Sequence, residues 1–140
     1  MPRRDDAGAP DERSDAREQA VMLLYESEQR DIRAAELLSE RKLVAEESVG
    51  AMLSGIEGTR GEIDGLIAAN AHGWPLERMP ALDRAILRLA IWELTSRPDV
   101  PVAVVIDEAV ELAKRFSTDD SGRFVNGVLA TVARGVRPGE

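Results

Sequence analysis

From Pro80 to Leu129 the apolar residues recur at steps of three and four, and nowhere does the chain alternate at period two for long. That spacing lines one side of a helix and gives a strand no consistent face. The predicted fold class is therefore all-α. Pro80 suits a first helical turn, where its missing N–H is not needed. Beyond it, Leu82, Ile86 and Leu89 form one apolar stripe and Leu87, Ile91 and Leu94 another, leaving Asp83, Arg84, Arg88 and Thr95 as the polar side. A helix apolar over most of its circumference is buried on several sides, so this is read as the central helix.

Arg97-Pro98-Asp99-Val100-Pro101 is the hinge out of it. Val102, Ile106, Ala109, Ala113 and Phe116 make the next stripe, with Asp107, Glu108, Glu111, Lys114 and Arg115 largely on the wet face. Ser117-Thr118-Asp119-Asp120 has the hydroxyl or carboxylate cap and the early acids of a helix start. The last helix runs through Phe124, Val128, Leu129 and Val132. Asn126-Gly127 would mark a hairpin between alternating strands, but its flanks have helical period.

Upstream, Met1 to about Ser14 is rich in Pro, Gly, Asp and Arg and reads as a disordered tail. A helical pattern starts at Asp15 and carries Ala20, Leu23 and Leu24 on one side, with Val21 and Tyr25 alongside. Asp31 is the expected N-cap of a short second helix through Leu37 and Leu38. A longer pattern spans Val49 to Ile67 and is stopped by Gly73 and Trp74-Pro75. Gly55, Gly58, Gly61 and Gly65 weaken that segment, each by about 1 kcal/mol relative to Ala. Either the segment breaks into two helices near Gly58 to Gly61, or the glycines form a face that a neighbouring backbone approaches. No strand precedes them and no Lys-Ser/Thr follows, so they do not form a phosphate loop.

At 140 residues the chain is expected to be one helical domain over residues 15–140. It has no cysteine, which excludes disulfides and thiolate metal sites. No apolar run approaches the roughly 20 residues of a spanning helix, and MPRRDDAGAPDERSD lacks the core of a secretory signal. A cytoplasmic location is expected. The net charge of −8 falls on residues 1–77, with 9 basic and 17 acidic residues; residues 78–140 hold 9 of each. Affinity for phosphate comes largely from Lys and Arg, so RNA binding requires a local patch. Lys114 to Arg137, with five basic and two acidic residues, is the candidate.

Residues for catalysis are scarce. His72, the only histidine, stands beside a helix-terminating Gly73, where exposure or a contact with the helix dipole explains it. Asp119 and Asp120 are explained by capping, with no histidine or third acid at ligand spacing. Ser14, Ser117 and Ser121 have no nearby base in sequence. No enzymatic activity, cofactor or metal is expected. Phe124 directly follows Arg123 at a helix start; such a pair either packs or holds a phosphate and stacks a base.

Three segments, DRAILRLAIWEL (Asp83–Leu94), VVIDEAVELAKRFSTDDSGRFVNGVL (Val104–Leu129) and, more weakly, REQAVMLLYE (Arg17–Glu26), resemble the NusB family of bacterial transcription antitermination proteins. The resemblance covers essentially Asp15 to Val136, and Trp74 with MPALDRAIL is similar to actinobacterial members. It implies about seven helices in two packed three-helix subdomains, here expected over about 15–75 and 76–137. It further implies an RNA-binding adaptor that joins boxA-type RNA of ribosomal transcripts to the small-subunit ribosomal protein NusE, within the RNA polymerase antitermination complex. Arg13, Arg17, Asp120, Arg123 and Phe124 fall at RNA-side positions of the family. Tyr25 and Glu93 fall at positions associated with the NusE partner.

One segment departs from the family pattern. Where members commonly read RRRAR, this chain has Arg13-Ser14-Asp15-Ala16-Arg17, preceded by Asp11-Glu12. Each lost phosphate contact lowers the salt dependence by about 0.7 for single strands. Weak RNA binding by the protein alone, rescued by the partner, is the expectation. The alternative is a helical protein–protein interaction module that has lost direct RNA binding. A homodimer that hides the RNA surface is left open.

Overall fold

The computed structural model describes residues 10–41 and 46–140. Among the described residues there are seven α-helices, one 3-10 turn and no strand. The helices are α1 (Pro10–Arg30), α2 (Ala34–Glu40), α3 (Glu46–Gly58), α4 (Arg60–Asn70), α5 (Ala81–Ser96), α6 (Val102–Phe116) and α7 (Asp119–Val136), with the 3-10 turn at Leu76–Arg78. The all-α expectation holds. The chain divides into two compact units, one up to Ser54 and one from Gly55 to Glu140. The expected boundary near residue 75 is not where the division falls. The reason is α4: it carries buried Ile63 and Ile67 and packs on α5 and α7, so it belongs to the second unit.

In the first unit α1 starts at Pro10, ahead of the Asp15 read from the pattern. The tail expected over residues 1–14 is therefore helical from Pro10, and residues 1–9 lie outside the described residues. Ala16, Ala20, Val21 and Leu23 are buried, and α1 packs on α2, where Leu37 is fully buried. Asp31 does not cap α2. It ends α1 in the left-handed region with φ 55°, and Ile32 N donates to Ser27 O at 3.1 Å. That is the Schellman arrangement, which Asp tolerates better than most side chains. The start of α2 falls to Arg33, which makes no side-chain cap bond. Glu26 ties α1 to the far end of α2: its Oε2 accepts from Arg41 Nη2 at 2.5 Å and from Arg30 Nη1 at 2.7 Å.

The long segment breaks in two, as one of the two sequence readings expects, with Thr59 between α3 and α4. The glycine-face reading survives at a single position. A Cβ on Gly55 would lie 2.5 and 2.6 Å from Trp92 Cε2 and Cζ2, whereas at Gly58, Gly61 and Gly65 it would meet nothing within 4 Å. The approaching group is an indole, not a backbone.

Helix α5 is the centre of the second unit and packs on α4, α6 and α7. Pro80 precedes it as the N-cap, so the first helical residue is Ala81. Of its polar side only Thr95 is exposed; Arg84 is half-buried, and two of the four residues are buried outright. Asp83 is 0 % and Arg88 7 % exposed, and Glu93 is buried as well. Arg88 can be buried because its fork meets the Asp64 carboxylate of α4 with both nitrogens, Nε–Oδ1 at 2.9 Å and Nη2–Oδ2 at 3.1 Å. On α6 the buried residues are Val105, Ala109, Leu112 and Ala113, so the apolar stripe is rotated from the one read through Val102 and Ile106.

Across the hinge, the end of α5 closes through Arg97 N, which donates to Glu93 O at 2.9 Å, while Pro101 gives the start of α6 no side-chain cap bond. Arg137, at the end of α7, bridges the two ends. Its guanidinium donates to Leu94 O and Val100 O at 2.9 Å, to Arg97 O at 2.7 Å and to Glu93 O at 3.4 Å. Nη1 also meets Glu140 Oε1 at 2.9 Å, and Glu140 Oε2 accepts from Val102 N at 2.8 Å, the first donor of α6. These contacts reach the Leu94 carbonyl and the Val102 N–H, groups of the kind helix termini leave open, and add to the bonds that Glu93 O and Arg97 O already accept from Arg97 N and Val100 N. The bond from Val102 and the Arg137 cation hold the Glu140 carboxyl below its ordinary range.

Candidate nucleic-acid interface

The start of α7 is built by its own sequence. Thr118 is the N-cap, and its Oγ1 accepts from Ser121 N at 3.0 Å. Asp119 and Asp120 occupy the first turn, where the helix dipole favours acids. One turn on, Arg123 projects outward with its side chain 75 % exposed, and Nη2 pairs with Oδ1 of Asp120, itself 86 % exposed. An ion pair this exposed contributes little to stability, so the guanidinium is available to exchange Asp120 for another anion.

Phe124 turns inward beside it and is only partly exposed. Its ring packs on Trp74, with centroids 4.6 Å apart and the planes inclined by 59°. Lys114 of α6 lies across the same turn: a Cβ on Gly122 would be 3.1 Å from Lys114 Cγ and 3.5 Å from Cε. The glycine lets the lysine stem cross the first turn of α7, which adds a second exposed cation near Arg123. Sequence reading placed Lys114 in a basic stretch without connecting it to this turn; the small residue after Ser121 was the available signal.

Beneath the turn sits a buried polar network that sequence reading missed. Ser121 Oγ donates to Asp83 Oδ2 at 2.9 Å and lies 2.8 Å from Ser117 Oγ and 3.2 Å from Thr118 Oγ1. Among the described residues Asp83 Oδ1 has no hydrogen-bond partner. Burial pushes the Asp83 carboxyl above its usual range, with the Ser121 and Ser117 hydroxyls acting in the opposite direction. The network joins the first turn of α5 to the first turn of α7.

The remaining candidates lie on α1 and α5. Arg13 is exposed, whereas Arg17 is 3 % exposed. Tyr25 is an exposed large hydrophobic side chain at 36 %. Glu93 is 3 % exposed, so of the two residues expected on the partner side Tyr25 is the one that presents its side chain to solvent. Asp120, Arg123 and Phe124 share one helical turn; Arg13 and Arg17 share α1. Among the described residues no group of three or more His, Cys, Asp or Glu side chains is placed to hold a metal ion, and no helix is long and apolar enough to cross a membrane.

A profile of the NusB family matches residues 14–134. Among solved structures, the chain is similar to NusB of T. maritima at 36 % identity, with a TM-score of 0.83 over 90 % of this chain and 93 % of that one. It is similar at 26 % identity and a TM-score of 0.75 to a chain from a complex of the antitermination factors NusB and NusE with dsRNA, over 89 % of this chain and 97 % of that one. NusB from Aquifex aeolicus matches at 28 % identity and a TM-score of 0.73, over 92 % and 93 % of the two chains.

Proposed function

The chain belongs to the NusB family, and from that premise we propose that it is a non-enzymatic RNA-binding adaptor of transcription antitermination. It binds boxA-type RNA of ribosomal transcripts together with NusE and works in the cytoplasm, within the RNA polymerase antitermination complex. The observation that carries the reading is the first turn of α7. A capped helix start, a weakly engaged Arg123 and the partly exposed Phe124 stand together there, in a fold similar to a chain of a NusB–NusE–dsRNA complex.

Each residue has a physical task in this reading. Arg123 exchanges Asp120 for a phosphate, and Phe124 offers an aromatic face to a base. Arg13 adds a cation from α1, and the buried Arg17 orders the helix that carries it. The acceptor oxygens of Asp120 suit the amino and imino donors of a base edge. Tyr25, with Glu93 behind it in rank because of its burial, marks the NusE side.

A net charge of −8 opposes nonspecific attraction to RNA, so NusE supplies part of the cationic surface. A salt titration of binding to a single-stranded boxA-type RNA, with and without NusE, tests this. Tighter binding and a steeper salt dependence with NusE are expected, the slope growing by about 0.7 per added phosphate contact. Arg123→Glu should weaken the partnered complex. Equal affinity of Arg123→Glu and wild type would favour the protein-binding module that has lost RNA contact, which the short arginine segment and the burial of Arg17 also favour.

A further inference from the structure

Trp74 and Phe124 come from distant parts of the chain and meet ring to ring. We propose that Trp74 is a second base-stacking residue, so that the RNA surface extends from the first turn of α7 onto the loop between α4 and α5, where an unpaired base lies against the Trp74–Phe124 pair. The inference rests on the RNA-binding reading above.

Trp74 is not placed like a core residue. The other tryptophan, Trp92, shows what a core indole looks like in this unit: it is 6 % exposed, wedged against Gly55 and covered by the Arg97 guanidinium at 4.7 Å. Trp74 and Phe124 are both partly exposed, and the 59° tilt means that neither ring lies flat on the other. In a tilted pair one ring offers its edge, so aromatic faces remain for a third planar group.

The loop also holds the Trp74 backbone in place before any ligand arrives. Gly73 takes the left-handed conformation at φ 78° and turns the chain out of α4. Trp74 N then donates to Ala71 O at 3.1 Å, and Pro75 and the 3-10 turn follow. Arg84 of α5 pins that turn, with Nη1 donating to Leu76 O at 3.0 Å and to Met79 O at 2.6 Å. With its backbone fixed in this way and its ring packed on Phe124, the indole has less freedom to lose on binding.

Stacking also suits the electrostatics of the site. Asp119 and Asp120 stand in the first turn of α7, beside Arg123, and work against phosphate contacts. The attraction between a base and an aromatic face does not depend on net charge, and every base has such a face. Two rings therefore provide affinity that this acidic chain cannot obtain from arginines alone.

The test compares wild type with Trp74→Phe and Trp74→Leu, each with NusE. The probes are a single-stranded boxA-type RNA and the same strand annealed to its complement. Trp92 is common to wild type and Trp74→Phe, so the difference in their tryptophan emission reports on position 74. We expect that difference signal to be quenched by the single strand and much less by the duplex. Trp74→Leu, which keeps an apolar prop for Phe124 without an indole or phenyl face, should bind about 5- to 100-fold more weakly. Trp74→Phe should retain most of the affinity.

RNA binding with unchanged Trp74 emission would overturn the inference and leave the RNA reading standing. So would equal affinity of the Leu and Phe variants, which would make Trp74 a packing prop, or equal quenching by the duplex. Failure of wild type to bind either RNA, with and without NusE, would remove the RNA reading and this inference with it.

Discussion

Alanine substitutions at Gly55 and Gly65 should shift stability in opposite directions, although both glycines are helical and ten residues apart in one glycine-rich stretch. Replacing a helix-interior glycine by alanine gains about 0.5–1 kcal/mol, because less backbone freedom is lost on folding. At Gly65 a Cβ meets nothing within 4 Å, so the full gain is expected. At Gly55 the same atom lands on the Trp92 indole, 2.5 and 2.6 Å from Cε2 and Cζ2. The ring has little room to retreat, being 6 % exposed and covered by Arg97. Overpacking of this kind costs about 1–3 kcal/mol. Set against the propensity gain, Gly55→Ala should be a net loss of about 1–2 kcal/mol. Urea unfolding followed by circular dichroism reads both variants; with a slope of about 1–3 kcal/mol/M, their midpoints should differ by about 1 M. A Trp92→Phe change should cost less in the Gly55→Ala background than in wild type, because the smaller ring makes room for the methyl. If Gly55→Ala were as stable as Gly65→Ala, the close approach of Trp92 would be refuted, and with it the reason for a glycine at that position.

Two further predictions concern the second unit. Arg137→Ala should destabilise by about 2–4 kcal/mol in the same urea assay, since charged hydrogen bonds to partly buried carbonyls contribute about 1.5–3 kcal/mol each and are not additive; Arg137→Lys should recover only part, because a single ammonium cannot span four carbonyls, and full recovery would refute the fork geometry. For Asp83, burial raises the folded-state pKa, so the folded state holds its proton to higher pH, and this site's contribution to stability is largest below the unfolded pKa and is lost as pH rises through the folded value. Asp83→Asn, which keeps an acceptor for Ser121, should therefore be more stable than wild type at neutral pH, with the difference shrinking as pH falls; a pH-independent difference in urea midpoints would count against a strained carboxylate.

The features legible in sequence are those that depend on nearest neighbours along the chain. Helical period identified the buried α5 and overruled the Asn126-Gly127 hairpin, and the Ser117 to Asp120 run bracketed the start of α7, whose cap is Thr118. The glycine cluster signalled a break that falls at Thr59. Distant pairings were not legible. The polar residues Asp83 and Arg88 read only as part of the polar side of α5, because nothing local shows that Ser121 and Asp64 await them. Asp31 carries the residue type of an N-cap, and only its positive φ shows that it ends one helix instead of starting the next. Within the candidate site, Arg123 and Phe124 were legible from the helix start that exposes them. The contact with Trp74 was not, because the loop that delivers it is fixed by Gly73 and Arg84, each far from α7 in sequence.

The Arg137 fork has a consequence for the order in which this protein can assemble during synthesis. Chains emerge N-terminus first, at about 5–20 residues per second. The carbonyls at the end of α5 and the first amide of α6 are bonded by residues 137 and 140, which are made after both helices. Helices α5 and α6 therefore wait with open ends until α7 has left the ribosome, while the α1–α2 pair, with its Glu26 ties, is already complete. The second unit closes only once residues 137 and 140 have emerged, and the side chain that closes it comes from the end of the helix whose beginning carries Arg123 and Phe124.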